Sequence, residues 1–546
     1  MHVSPEYLLP LALYAETHFR FFPGMPSALF RKAPEIIFDL PRRIIKNQDL
    51  PLVLLINDIH KYPITPVSVQ VSISHKESMP QLFTFKELQQ FKIEHALQNQ
   101  QQAFIIPIER HLLHNGEVLL NAKLTYKKVK NNRTAGPLIP VLNDNLPTSS
   151  KLPFRCTITD EDFPGNELCT FGDLHSHSIF SRSHVEFGPP LQVIEKVASS
   201  SGLHFAAVTD HSYDLACDPQ NYLQQDRSLG MWKLYKESMS KVNGAALLIQ
   251  GEEISCLNSK GLVVHLCGLG VKNFIPGTLD GARQNKYSKT QPTIIEAIRQ
   301  VHSQGGIAFA AHPGSKAGFM QQVFLSRGEW SEKDLFDDLD GIQAVNSGYF
   351  DSWQRGKQLW ISMLQRGLRV PLLAGSDAHG DFNRYRAIGK PFMQVHEGPE
   401  RYMGFVRTGL YGKHRTVEEI LNAIKNCATF VTNGPFAAIN FSGSRADSII
   451  SNQTISNPSD LFAVASSNVE FGQIRLLKVF CGQNGSTTEK AVLSRNCPPE
   501  CNYISERIPI LELPDKCYLR VEVIGKSPRN IKTVAATSAC FIQRND

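Results

Sequence analysis

The sequence predicts an α/β protein in which a central barrel of alternating strands and helices lies between two β-rich flanking domains. Three observations predict it. From about residue 168 to 430, short apolar runs alternate with amphipathic helical patterns, which implies parallel strands joined by crossover helices. On either side, short alternating runs punctuated by Pro, Gly, Asn and Asp read as β-sandwich strands. The length of 546 residues exceeds what one hydrophobic core organises, so two or three domains are expected. The expected division is a β-rich domain with its linker over 1–150, the barrel over 151–430 and a C-terminal β-sandwich over 431–546.

In chain order, EIIFDL, LPLVLLI, VSVQVSI, AFIIPI and EVLLNAKLTY supply the strands of the first sandwich. AGPLIPVLNDNLPTSSKLPF, rich in Pro and Asn, reads as a linker. The central strands are CTFGDLH, HFAAVTD, ALLIQGEE, LVVHLCGLG, IAFAAH, GIQAVN and VPLLAGSD. LQVIEKVASSS, MWKLYKESMSKV, TIIEAIRQVHSQ and WQRGKQLWISMLQRG are the helices between them, with Trp353 and Trp360 at helical spacing as core residues. FAAINF, DLFAVASS, IRLLKVFCG, CYLRVEVIG and TSACFIQ close the chain as the second sandwich.

Composition narrows the function classes. A hydrophobic fraction of 42% and a charged fraction of 20% are those of a globular protein. The net charge of +6 is spread along the chain, and the one basic stretch, Lys123 to Arg133, reads as a solvated strand and turn, so no nucleic-acid partner is implied. Eleven cysteines without a Cys-x-x-Cys pair point to reduced thiols and a cytoplasmic location, with Cys497 and Cys501 sharing a loop. The N-terminal MHVSPEYLLPLALYAETHFRFF lacks a basic leader and a cleavage site, and no apolar run approaches the roughly twenty residues of a membrane helix.

The chemistry gathers where the central strands end. His175 and His177, Asp210 with His211, Glu253, His265, His312, and Asp377 with His379 close six of the seven runs. Strand ends of a barrel converge on one mouth, so these sequence-distant residues are expected to meet. In His-x-His on an extended segment both imidazoles face the same side and can share one ion. Imidazole with carboxylate suits zinc, manganese, iron or nickel, whereas calcium prefers oxygen alone. Burying so many such groups without a metal is costly.

FGDLHSHS, AAVTDHS, GEE, VVHLCGLG, AAHPG and AGSDAH, in that order, resemble the motif series of the PHP (polymerase and histidinol phosphatase) family over about 168 to 385. The resemblance implies a distorted seven-stranded (β/α) barrel holding two or three metal ions and hydrolysing phosphoesters. It implies that His175, His177, Glu253 and Asp377 hold one ion, that Glu253 bridges to a second on His265 and His312, and that His211 and His379 take a third. The family's Gly-x-Glu selects Glu253 over Glu252, leaving Asp210 to orient imidazoles. One departure stands out. The family places Asp or His five or six residues past the second His, where this chain has Arg182 and Ser183, with His184 next. Arg182 can instead offer a bidentate guanidinium to a substrate anion. GSDAHGDFNRYR and NAIKNCATFVTNGPFAAINF further resemble the CehA/McbA-like branch, including its Thr432-Asn433-Gly434-Pro435 signature. That branch is linked to ester as well as phosphoester hydrolysis.

The expected chemistry is hydrolysis of a small ester or phosphoester by a metal-bridging hydroxide, with His211, His379 and Arg182 assisting catalysis. Ser178, Ser212 and Cys267 are not read as nucleophiles. The loops Phe274 to Thr290 and Gly318 to Glu332 are expected to set specificity. Two alternatives stand beside it, one within enzymes and one from a different class. An amidohydrolase-type site also opens with His-x-His, although Gly-Glu-Glu and His379 favour PHP. A metal-binding scaffold without turnover is the other.

Overall fold

The computed structural model describes residues 33–75, 79–131, 133–145, 151–181, 188–220, 225–277, 292–317, 322, 326–346, 350–390, 394–398, 402–443, 449–451 and 454–544. The N-terminal apolar patch and Arg182, Ser183 and His184 lie outside them, as does most of the two loops expected to set specificity.

Two sheets face each other at the N-terminal end. One joins Glu35–Asp39, Leu50–Asn57, Gln101–Ile108 and Lys92–Ile93, and the other is built around the long strands Ile64–His75 and Gly116–Lys130. Alternation over residues 118–126 sends Val118, Leu120, Ala122, Leu124 and Tyr126 inward, while Lys123 and Lys127 of the basic stretch take outward positions. The stretch read as a linker differs from expectation. Ile64–His75 takes one edge of Gly116–Lys130, and the other edge is shared by Arg133–Leu142, along residues 123–130, and Phe154–Ile158, along residues 116–120. Arg133–Leu142 folds back as a hairpin on the preceding strand, so its backbone groups are met by a ladder, which Pro and Asn content alone does not reveal.

The expected seven-stranded (β/α) barrel is corrected by the observed sheet, which belongs to a mostly β molecule. Cys169–Ser176, Phe205–Val208, Leu247–Leu257, Val263–Leu269, Ile307–Ala310, Gly341–Asn346 and Leu372–Gly375 do lie side by side in chain order. They form one part of a larger sheet, however, that continues through Arg407–Tyr411 and Thr429–Thr432 into the C-terminal strands. The outer edge of Cys169–Ser176 is taken by an antiparallel ladder to Arg407–Tyr411. Its link to the end of the seventh strand is an isolated bridge, Ser176 to Ala378.

Nor are the seven all parallel. Val263–Leu269 runs against both neighbours, while the other pairs are parallel. The cause is local: the connection from Leu257 to Val263 is a tight turn with Gly261 at φ +71°, far too short for a crossover helix. The reversal matters for chemistry, because it carries His265, near the start of its strand, to the same sheet end as the C-terminal residues of the others.

The C-terminal strands pack as a second sandwich-like pair. Phe436–Asn440, Phe462–Ser466 and Tyr503–Arg507 form a small sheet over the large one, sharing a core that includes Ile439, Leu477, Val479, Leu519 and Val521. Trp360 is fully buried in helix Phe350–Gln365, its Nε1–H donating to Val370 O at 2.8 Å. All eleven cysteines are free thiols. Among the described residues, no helix is long and apolar enough to cross a membrane.

Candidate metal centre

The isolated bridge at the edge of the central sheet sets the site. His177 N–H donates to Ala378 O and Asp377 N–H to His175 O, both at 2.8 Å, which locks the His-x-His segment against the Ser-Asp-Ala-His segment. Two ligand-type residues just past strand ends, His312 at φ +32° and Asp377 at φ +56°, occupy the left-handed region. That conformation costs about 1–3 kcal/mol per residue and concentrates at functional sites.

Glu253 stands at the centre. Its Oε1 lies 2.5 Å from His265 Nδ1, 2.9 Å from His312 Nε2 and 3.5 Å from His175 Nε2. Its Oε2 lies 2.8 Å from His211 Nδ1 and 3.4 Å from His177 Nε2. Asp377 Oδ1 closes the set, 3.4 Å from His175 Nε2 and 3.2 Å from His177 Nε2. His379 stacks on His177 with centroids 3.9 Å apart. The structure therefore brings together all eight residues that the sequence nominated as ligands, buried except for the partly exposed Asp377.

Three overlapping groups have donor atoms within 4.8 Å of one another: His175, His177, Glu253 and Asp377; His211, Glu253 and His265; and His177, His211 and His379. The first has the composition of the first expected set. In the others His211 is shared more widely than expected, and His177 joins the group containing His379. Imidazole nitrogens and carboxylate oxygens converging at this spacing fit divalent transition metals.

Residues that no ligand pattern singled out hold the imidazoles in place. Gln343, midway along its strand, puts Oε1 2.9 Å from His175 Nδ1 while its Nε2 donates to Gly375 O at 3.1 Å. The amide orientation makes His175 Nδ1 the donor and leaves Nε2 for an ion. Asp210 acts at one remove. Its Oδ1 accepts from Ser181 Oγ at 2.7 Å, and that oxygen lies 2.9 Å from His177 Nδ1. Ser178 is similarly engaged, Oγ donating to Asp210 Oδ2 at 2.6 Å. His379 Nδ1 donates to Asp377 O at 3.1 Å.

Arg327 is a further residue that sequence reasoning missed, since a lone arginine in a loop carries no signal. Its guanidinium lies against the His265 ring, with Nη1 at Nε2 and Nη2 3.0 Å from Nδ1; since Nδ1 faces the Glu253 carboxylate as donor, Nε2 is the nitrogen that can accept from Arg327. Arg182, the guanidinium nominated from sequence, is not among the described residues.

The electrostatics are those of a self-compensating cluster. Burial opposes protonation of His177, yet Asp377 and Glu253 raise it to about 9. Against the same burial penalty, Cys267, Glu253 and Asp377 hold His175 well above the usual histidine range. Both carboxylates lie well below theirs, with burial opposing the shift and His265 the largest favourable influence on Glu253 and His175 on Asp377. Burial lowers His312. Burial also raises the Cys267 thiol to about 11, which keeps it a poor nucleophile. Glu252 points away, buried and raised by desolvation, accepting from Ile275 N–H at 3.0 Å.

No family model and no curated protein matches the chain. Among solved structures, the crystal structure of Parabacteroides merdae beta-glucuronidase is similar at 10% identity and a TM-score of 0.18, covering 94% of this chain and 64% of that one. The same enzyme with glycerol in its active site gives 12% identity and a TM-score of 0.15, covering 93% and 64%. The chain thus spans about two thirds of their length, and likeness at this level carries neither fold nor activity to it.

Proposed function

We propose that the chain is a metal-dependent hydrolase of small phosphoesters or related esters, as its PHP-like motif series implies. The observation that carries this reading is the clustering of six histidines and Asp377 around Glu253. His175, His177, Glu253 and Asp377 would hold one ion, and Glu253 with His211, His265 and His312 a second; zinc, manganese and iron all suit these donors. When bound, such ions supply Lewis acidity, which activates water near neutral pH and neutralises ester oxygens.

The chain's own residues do the rest. Gln343 and the Asp210–Ser181 pair fix the Nδ1–H tautomers of His175 and His177, so both Nε2 lone pairs face the cluster. The hydrogen bond to its carbonyl partner leaves the proton of His379 on Nδ1. Burial of Glu253 excludes water from the carboxylate that the imidazoles share.

The test is hydrolysis of a panel of phosphomonoesters, phosphodiesters and carboxylic esters by the purified protein. Turnover of at least one class that is abolished by a chelator and by His177→Ala supports the reading. Inactivity on all three, with metal retained, favours a second reading, a metal-binding scaffold without turnover. Arg327 favours that alternative specifically, because its guanidinium competes with an ion for His265.

A further inference from the structure

A second concentration of buried charge lies away from the histidines, where the N-terminal sandwich, the central sheet and the C-terminal strands meet. A cavity of about 330 Å³ opens there, at the lower end of the roughly 300–1,000 Å³ of small-molecule pockets. Arg42, Arg43, Arg407 and Arg529 line it against only two carboxylates, Glu117 and Glu470, a surplus of two positive charges. Phe163 and Phe471 form part of its wall.

The arginines are not equivalent. Arg43 is spent within the protein: Nε donates to Glu470 at 2.8 Å, Nη1 to Ser201 O at 3.0 Å and Nη2 to Glu161 O. Arg529 is likewise engaged, with Thr157 Oγ1 at 2.9 Å and Glu117 Oε2 at 2.6 Å. Arg407 differs. It is 3% exposed and donates from Nη1 to Gly404 O at 2.9 Å, yet Nε and Nη2 have no hydrogen-bond partner among the described residues. Its guanidinium lies 4.1 Å from the Phe163 ring centroid and 5.0 Å from that of Phe471, and stacking engages the face of the planar group, not its N–H edge. Arg42, at the rim beside Tyr402, also has an Nε without a partner.

A buried guanidinium with unmet donors is unfavourable unless an acceptor arrives to use them. Burial first, and the neighbouring Arg43 second, push the Arg407 pKa below the ordinary arginine value. The Thr432–Pro435 signature, which the hydrolase reading leaves without a role, borders the same space. Asn433 lines the cavity while its Oδ1 accepts from Val534 N–H at 2.7 Å and its Nδ2 donates to Lys532 O at 3.2 Å.

We propose that this junction cavity binds a small oxyanion-bearing molecule, with Arg407 and Arg42 donating to a phosphate or carboxylate group and the aromatic walls covering an apolar portion. The site is separate from the metal centre, and its occupancy does not depend on turnover.

The test is calorimetric titration of the purified, metal-retaining protein with inorganic phosphate, phenylphosphonate and benzoate, none of which is an ester. The expected result is a binding class that persists in His177→Ala and weakens about tenfold or more in Arg407→Met and in Arg42→Met. Tighter binding of phenylphosphonate than of inorganic phosphate supports the aromatic walls, and the order of phenylphosphonate against benzoate identifies the anion. Wild-type affinity for every probe in folded Arg407→Met overturns the proposal. Should that variant not fold, unchanged binding by Arg42→Met, altered at the rim, overturns it equally. Absence of any class that survives His177→Ala also does so.

Discussion

The histidine cluster and the arginine cavity both bury several charged groups, and they balance them in opposite ways. At the cluster, Glu253 and Asp377 lie 3.2–3.5 Å from His175 and His177, imidazoles whose hold on a proton is raised to match them. At the cavity, two arginines are satisfied internally and Arg407 keeps donors to spare. The difference teaches what each region can exchange. A cluster that compensates itself with protons can trade them for metal ions, whereas a cavity with a fixed positive surplus can only take up an anion. The two share one carboxylate: Asp173 accepts from Gly404 N–H at 3.1 Å and from His175 N–H at 3.2 Å, so the wall of one is tied to the backbone of the other.

The contrast breaks most visibly at Glu253. Glu253→Gln removes the charge that His265, His312 and His211 surround, so retained metal and any hydrolysis should be lost together. Removing one member of a buried charge set typically costs about 3–5 kcal/mol, which denaturant titration of the metal-stripped protein would register. Next in size are the groups that orient the rings. Gln343→Leu and Ser181→Ala should each weaken metal binding about 10–100-fold without unfolding the protein, measured by competition with a chromophoric chelator.

The proton exchange has a definite sign. His177 is raised to about 9 and must release its proton to ligate, so metal affinity should climb as pH rises toward 9 and fall as it drops. The same chelator competition across that range checks it, and a flat profile would show that no proton leaves. The smallest effect belongs to the cavity. Arg407→Met gives up one hydrogen bond to Gly404 O but also removes two buried donors without a partner among the described residues, so unfolding free energy should change by about 1 kcal/mol or less, in either direction, in thermal or denaturant melts.

Much of the site was legible because its residue types are unusual beside apolar runs: a His-x-His or Ser-Asp-Ala-His at a strand end stands out. Gln343, Ser181 and Arg327 were not legible, since an ordinary polar residue acquires its role only from what folding places within 3 Å of it. Element positions along the central segment followed from hydrophobic periodicity. The architecture did not, for two physical reasons. Val263–Leu269 reads as one more apolar strand, and only the brevity of the turn before it forces reversal. The ladder between Cys169–Ser176 and Arg407–Tyr411 joins residues more than 200 positions apart, and local pattern holds no record of such a pairing.

The central claim is that Glu253 organises a centre that retains metal, and elemental analysis of the purified protein beside Glu253→Gln tests it most directly. The account predicts about two or more equivalents of zinc, manganese or iron per chain in the native protein and a sharp loss in the variant. Native protein that holds less than about one equivalent after exposure to each metal, or a variant that retains the native amount, would contradict it.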